Sequence, residues 1–238
     1  MSTEFPRGPW WLPQPSPVKA ITPPWYLPAW VAYSLIALLW TISGGYLVAL
    51  AWLDLSDVPG LALLPFAGIT LATMIMALLI TSHGHSGFTA LGILPSWPAT
   101  HRHQGRWRLQ WWLVLAYGTL AVLAGNALYA LAAPVLPAAV PMSHFFTREP
   151  FIHAITVGAV VVLAGAARRP GWEKYVVAAT LTAASFLVPF GAGAVIAALP
   201  ALALVWLYER TRRLTPLLLG QLIAALASTA LADRVFLH

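Results

Sequence analysis

Residues 109–132 read LQWWLVLAYGTLAVLAGNALYALA, 24 positions without one charged side chain. A helix of that length reaches about 36 Å at 1.5 Å per residue, enough to cross roughly 30 Å of hydrocarbon. A strand of a transmembrane barrel would alternate polar and apolar residues over about ten positions, and this stretch does not. Working outward, comparable apolar stretches run over 29–53, 61–82, 151–167, 175–190, 194–208 and 214–232. The expected fold is therefore an all-α, polytopic membrane bundle, with seven transmembrane helices and six as the fallback. The fallback concerns 175–190 and 194–208, which are short and separated by Gly191-Ala192-Gly193; they read as two short spans or as one broken hairpin.

Composition points the same way. Of 238 residues, 60% are hydrophobic and 8% charged, with a mean hydropathy of +0.77. A soluble domain carries about 25% charged residues, so this chain lacks the polar groups to cover a water-facing surface. There is no cysteine, which excludes disulfides, thiolate metal sites, iron–sulfur clusters and thiol nucleophiles. The first 28 residues are polar and proline-rich, with no apolar core of signal-peptide type, so the N-terminus is expected to be retained as a cytoplasmic arm along the membrane surface. Residues 29–142 then hold spans 1–3 with a basic inner loop, and 143–238 hold spans 4–7. No internal repeat is visible.

The net charge of +6 does not indicate nucleic acid, because the basic residues lie in short loops between spans. With the N-terminus placed inside, the inner segments hold Arg7 and Lys19, then Arg102, Arg106 and Arg108. The next two hold Arg168, Arg169 and Lys174, then Arg210, Arg212 and Arg213. Eleven of the 13 basic residues thus fall on one side, leaving Arg148 and Arg234 outside with Asp54 and Asp57. The orientation expected is N-in and C-out, in a bacterial inner (cytoplasmic) membrane. Trp25, Trp30, Trp107, Trp111, Trp112, Trp172 and Trp206 lie near the same inner boundary, where an indole N–H stays wet.

Few polar groups enter the spans. Asn126 and Gln221 are the strongest neutral ones at depth, and His153 lies about one turn inside span 4. Ion-coupled transport calls for buried carboxylates near mid-membrane, and none is present there. Span 4 opens as Thr147-Arg148-Glu149-Pro150-Phe151-Ile152-His153, with proline at the first helical position and a carboxylate facing the positive helix end. Glu149 and His153 are four apart and share a face, so they are the candidates for activating water and relaying its proton. The competing role for Glu149 is helix-start stabilisation alone.

His83, His85, His101 and His103 form two His-x-His pairs, but Arg102 and Arg106 repel a cation and no carboxylate adjoins them; no metal site is expected. Ser43-Gly44-Gly45, Gly158, Gly165, Gly191 and Gly193 are the small residues available for close helix packing.

The C-terminal half resembles the CPBP group of membrane proteins, which includes the CAAX prenyl endopeptidases and bacteriocin-immunity relatives. The resemblance covers 145–228 and is best at the polar break Tyr208-Glu209-Arg210-Thr211-Arg212-Arg213-Leu214. The family's Glu-Glu-x-x-x-Arg would fall on Arg148-Glu149-Pro150-Phe151-Ile152-His153, its Phe-x-x-x-His on Phe186 to Phe190, and its His-x-x-x-Asn on Gln221 to Ala225. The Leu91-Gly92-Ile93 element before span 3 is similar to a common upstream feature. The departures decide what the resemblance implies. The water-activating Glu falls on Arg148, the motif Arg on His153, and the two catalytic histidines on Phe190 and Gln221. Only the second Glu survives, as Glu149. A phenyl ring neither shuttles a proton nor stabilises an oxyanion.

The expected function is thus a non-catalytic, CPBP-like membrane protein, a pseudoenzyme. Its partners would be membrane lipids together with a membrane protein or lipophilic ligand, contacted through Gln221, Asn126 and Phe190. The alternatives are a divergent intramembrane endopeptidase using Glu149 and His153, and an accessory subunit of a respiratory or photosynthetic complex. The sequence names no cofactor.

Overall fold

The structure is a computed structural model that describes residues 11–13, 27–42, 92, 104–132 and 153–236. Among these residues the chain is all helical, without a strand. In order come α1 (Ala29–Trp40), α2 (Gln104–Ala132), a π-helical turn (Ala154–Ala159) running into α3 (Val160–Ala166), and α4 (Gly171–Phe190). A 3₁₀ turn (Gly191–Gly193) leads to α5 (Ala194–Thr211) and then α6 (Leu214–Phe236). Two stretches, Arg108–Ala132 and Gly191–Thr211, are long and apolar enough to cross a membrane. His83, His85, His101 and His103 and all of 61–82 lie outside the described residues, as do Ser43-Gly44-Gly45 and Glu149.

The π turn and α3 form the middle of the bundle. This segment has apolar or small side chains all round, and a helix without a polar face is covered on every side. Ile155, Val157, Ala159, Val160, Val161, Leu163, Ala164 and Ala166 are all buried. Helices α1, α4, α5 and α6 pack around it, while α2 packs on the far side of α5 and α6.

Where helices start and stop follows local chemistry. Pro28 and Pro170 precede α1 and α4 with extended ψ values of 141° and 145°, the conformation that releases the chain into a first helical turn. Helix α3 ends in a Schellman arrangement: Arg168 N–H donates to Gly165 O at 3.0 Å, and Arg169 N–H to Ala164 O at 2.9 Å. Helix α5 ends on Arg212, whose N–H returns to Tyr208 O at 2.8 Å. At the start of α6 the carbonyl of Gly92 accepts from Leu214 N–H (3.1 Å) and Thr215 N–H (3.4 Å), satisfying two otherwise unpaired donors.

Helices α4 and α5 are longer than hydropathy alone suggested. Charge at Glu173, Lys174, Glu209 and Arg210 truncates the apolar reading, yet each of these residues is helical. At 20 residues α4 spans about 30 Å. The two helices form a hairpin closed at Gly191, whose φ of 50° and ψ of −127° suit only glycine.

Contacts between helices set their directions. Tyr33 meets Glu173 and Trp40 meets Ser185, so α1 runs parallel to α4. Gly118 faces Leu217 and Asn126 bonds Ser228, so α2 runs parallel to α6. Helices α3 and α5 run the opposite way, being joined to α4 by tight connections. Helices α1, α2, α4 and α6 therefore start, and α3 and α5 finish, at one common end.

Close approach occurs mainly on the α2–α5–α6 seam, through glycines the sequence reading did not single out. A Cβ on Gly125 would overlap the ring of Pro200, one on Gly118 would lie 3.2 Å from the Leu217 side chain, and one on Gly220 2.7 Å from Leu115 O. Pro200 has no N–H to give within α5, and its ring instead fills the space above Gly125. Of the glycines expected to serve packing in span 4, Gly158 does, against Leu214. Gly165 does not, because nothing lies within 4 Å of a Cβ built there.

The two classes of glycine should respond oppositely to substitution. Gly125→Ala is expected to destabilise by about 1–3 kcal/mol through overpacking. Gly165→Ala should stabilise by about 0.5–1 kcal/mol through lower unfolded-chain entropy and better helix propensity. Thermal unfolding of the purified variants in detergent measures both, and equal destabilisation would contradict this packing.

Candidate functional site

Five polar side chains are at most 2% exposed: His153, Thr156, Thr182, Thr211 and Gln221. Of these, His153 Nδ1, Thr182 Oγ1 and Gln221 Oε1 have no hydrogen-bond partner among the described residues. His153 immediately precedes the π turn, and its ring tilts against Phe186 of α4 at 6.4 Å between centroids. Thr182 lies one turn before Phe186 and shares its helix face. Wide π turns inside α-helices often mark functional positions. Gln221 follows Leu214 by seven residues, two turns along the α6 face that carries the Gly158 contact.

Other expected site residues fare differently. Asn126 makes a helix-to-helix bond, its Nδ2 donating to Ser228 Oγ at 3.0 Å, and so ties α2 to α6. Phe190 is the last residue of α4, with its side chain outside those described. Glu149, the proposed partner of His153, lies outside the described residues. The structure therefore brings His153 to the core with Phe186, and places Asn126 in a separate seam. Thr182 was missed from sequence, because a threonine inside an apolar helix carries no signal until its neighbours are known.

The second concentration of polar groups is the common helix end. Arg169, four residues before Glu173, reaches it twice: Nε donates to Oε2 at 2.8 Å and Nη2 to Oε1 at 2.5 Å. The Tyr33 hydroxyl donates to the same carboxylate. Lys174 pairs with Glu209, to which Tyr175 also donates at 3.4 Å. These contacts tie α1, α4 and α5 together and neutralise the only described acidic side chains, so neither carboxylate is available to His153 at the far end. Arg210 Nε donates to Pro13 O at 2.7 Å, which seats part of the N-terminal arm on the bundle, and its guanidinium lies 5.6 Å from the Trp206 ring centre. Arg212 lies 5.8 Å from the ring centre of Tyr208.

The electrostatics follow from these neighbours. Arg169, and after it Tyr33, hold the Glu173 carboxyl below its ordinary value of 4.5, while Glu173 and Tyr33 raise Arg169. Burial pulls Arg213 down to about 10. Among the described residues no three histidine, cysteine or carboxylate groups gather as a metal site would need. No protein-family model, curated protein or solved structure matches this chain.

A carboxyl whose folded pKa is depressed contributes stability above its ordinary pKa and loses it as pH falls through the folded value. The bundle should therefore hold its unfolding temperature from pH 7 to about 5 and lose stability below about 4.5. Glu173→Gln should lower stability at neutral pH and flatten that acid slope. Differential scanning fluorimetry across pH reads both, and an unchanged slope in the variant would remove Glu173 as its source.

Proposed function

We propose that the chain is a multi-pass helical membrane protein with seven spans and a cytoplasmic N-terminus, and that it acts by binding a membrane-protein partner or lipophilic ligand rather than by cleaving a bond. The observation that carries the membrane part is the coincidence of two patterns. The outer helices expose large apolar side chains: Leu131 on α2 is 80% exposed and Val195 on α5 67%, with Leu187 and Leu226 also outward. Only 28% of the apolar window of α2 is buried against the rest of the protein. A water-soluble monomer rarely leaves such surface uncovered. At the same time Arg108, Arg168, Arg169, Lys174, Arg210, Arg212 and Arg213 all fall at the common helix end, beside the exposed indoles of Trp30, Trp112, Trp172 and Trp206. Cytoplasmic loops of membrane proteins carry that signature.

The binding part is supported by the surroundings of His153. Water activation needs a solvated site in which a carboxylate and an imidazole meet the same molecule. His153 is instead packed on Phe186 among buried aliphatic groups, and the described carboxylates are spent in ion pairs at the opposite end. The CPBP-like placement of Gln221 and Phe190 at the two catalytic histidine positions agrees with a scaffold that has no hydrolytic chemistry.

Two measurements test this reading. The native chain has no cysteine, so single replacements report sidedness without background. Arg168→Cys should react with a membrane-impermeant maleimide only from the cytoplasmic side, and Ala192→Cys, exposed in the α4–α5 turn, only from outside. Labelling of both from one side would overturn the span arrangement. In a deletion strain, stably inserted Glu149→Gln and His153→Gln should each restore the phenotype. Loss of function in both, at normal protein level, would favour the divergent endopeptidase instead.

A further inference from the structure

Helical hydroxyls in this bundle satisfy themselves on their own helix. Thr119, Ser185 and Thr211 each donate to the carbonyl four residues earlier, at 2.9, 2.9 and 2.7 Å. That is the usual recourse of a hydroxyl inside a helix. Thr182 does not take it: the side chain is 0% exposed, and its Oγ1 has no hydrogen-bond partner among the described residues. Gln221 Oε1 and His153 Nδ1 are in the same condition. An unpaired polar atom in an apolar core is costly, so three of them call for a partner that the described residues do not supply.

The three come from different helices at similar depth. Helices α4 and α6 both pack on the π turn that His153 precedes. Gly158 of that turn meets Leu214 of α6. From this contact His153 lies five residues, and Gln221 seven, toward the far end of the bundle, about 7 and 10 Å at 1.5 Å per residue. Side chains lean toward the start of their own helix, which brings Gln221 back toward His153. Thr182 lies one turn from Phe186, the residue that His153 packs against. No charged side chain occurs in 153–167, 175–190 or 214–232, so the layer is neutral. It is also one residue from the outside of the bundle: Leu187 beside Phe186 is 53% exposed and Leu222 beside Gln221 38%.

We propose that Thr182, Gln221 and His153 form a binding site for the head of an uncharged lipid that carries a hydroxyl beside ester carbonyls, the chemistry of a diacylglycerol; this rests on the lipophilic-ligand reading above. The atoms set the class. Gln221 Oε1 only accepts, so the ligand must donate, as a hydroxyl does. The Thr182 hydroxyl, and His153 Nδ1 when it carries the proton, donate to carbonyl oxygens. A charged headgroup would have no counter-ion in this layer. The acyl chains leave past Leu187 and Leu222 into the surrounding hydrocarbon.

The test uses the full-length protein, delipidated in mild detergent, with dioleoylglycerol and its O-methyl ether as probes. The ether keeps both chains and both carbonyls but has no donor. Dioleoylglycerol should bind about tenfold more tightly, because the ether leaves Gln221 Oε1 unpaired. Gln221→Leu should abolish that preference, and Thr182→Val should weaken dioleoylglycerol about fivefold, with Thr182→Ser retaining it. Without lipid, both apolar variants should unfold at the same or a higher temperature, since each removes an unpaired polar group. A marked fall in unfolding temperature for both would assign these side chains to holding the fold and overturn the proposal. Equal binding of the two lipids, as expected if the three atoms hold only an enclosed water, would overturn it too, and so would an undiminished preference in Gln221→Leu. Uptake of both lipids without preference keeps the lipophilic-ligand reading and removes this site, whereas failure of the complementation test above removes that reading whatever the lipids do.

Discussion

The segment from His153 to Ala166 has no polar face, and the rest of the bundle is arranged to cover it. Its small and β-branched side chains let α1, α4, α5 and α6 approach closely, and the π turn changes which residues face each neighbour. Once this segment is central, the short connections on either side of α4 leave little freedom. Helix α4 must return alongside it, and α5 must run parallel to it. The common end at which helices start and stop is a consequence of that packing.

Different forces hold different parts. Along the α2–α5–α6 seam the helices meet through Gly118, Gly125 and Gly220, with Pro200 set into the gap above Gly125. In lipid, apolar burial alone does not drive helices together, since acyl chains are as apolar as leucine; close van der Waals contact and interhelical hydrogen bonds do. Asn126 to Ser228 and Trp40 to Ser185 are bonds of that kind. At the basic end, near water, the ties are ionic: Arg169–Glu173 and Lys174–Glu209, each reinforced by a tyrosine hydroxyl. Exposed ion pairs are individually weak, but here each carboxylate also accepts from a phenol, Glu173 from Tyr33 of α1 and Glu209 from Tyr175 of α4.

This division bears on function. The core polar groups His153, Thr182 and Gln221 are enclosed by apolar side chains, whereas the charged and aromatic groups are gathered at one surface. A protein that transforms a substrate brings its titratable groups to the reacting atoms. Here the described carboxylates are held in ion pairs and tyrosine contacts at the common helix end, which agrees with the binding role proposed above.

Much of this was written in the chain itself. The 24 uncharged residues at 109–132 and the run of small aliphatics before Arg168 dictate helices, because backbone polar groups in an apolar setting must be satisfied within one segment. The clustering of arginines in alternate loops dictates that those loops share a side, and the directions of α1 to α6 agree with it. Local sequence did not reveal that α4 and α5 extend through Glu173, Lys174 and Glu209, since a hydropathy reading counts a charge without knowing its partner. Nor did it separate Gly125, pressed against Pro200, from Gly165, which touches nothing, because a glycine has the same symbol whether or not another helix lies over it. The pairing of His153 with Phe186, the orphaned oxygens of Thr182 and Gln221, and the left-handed turns at Arg168 and Arg212 were decided only in three dimensions. Each depends on which residue, distant in sequence, is brought to within a few ångströms by the packing around the buried helix.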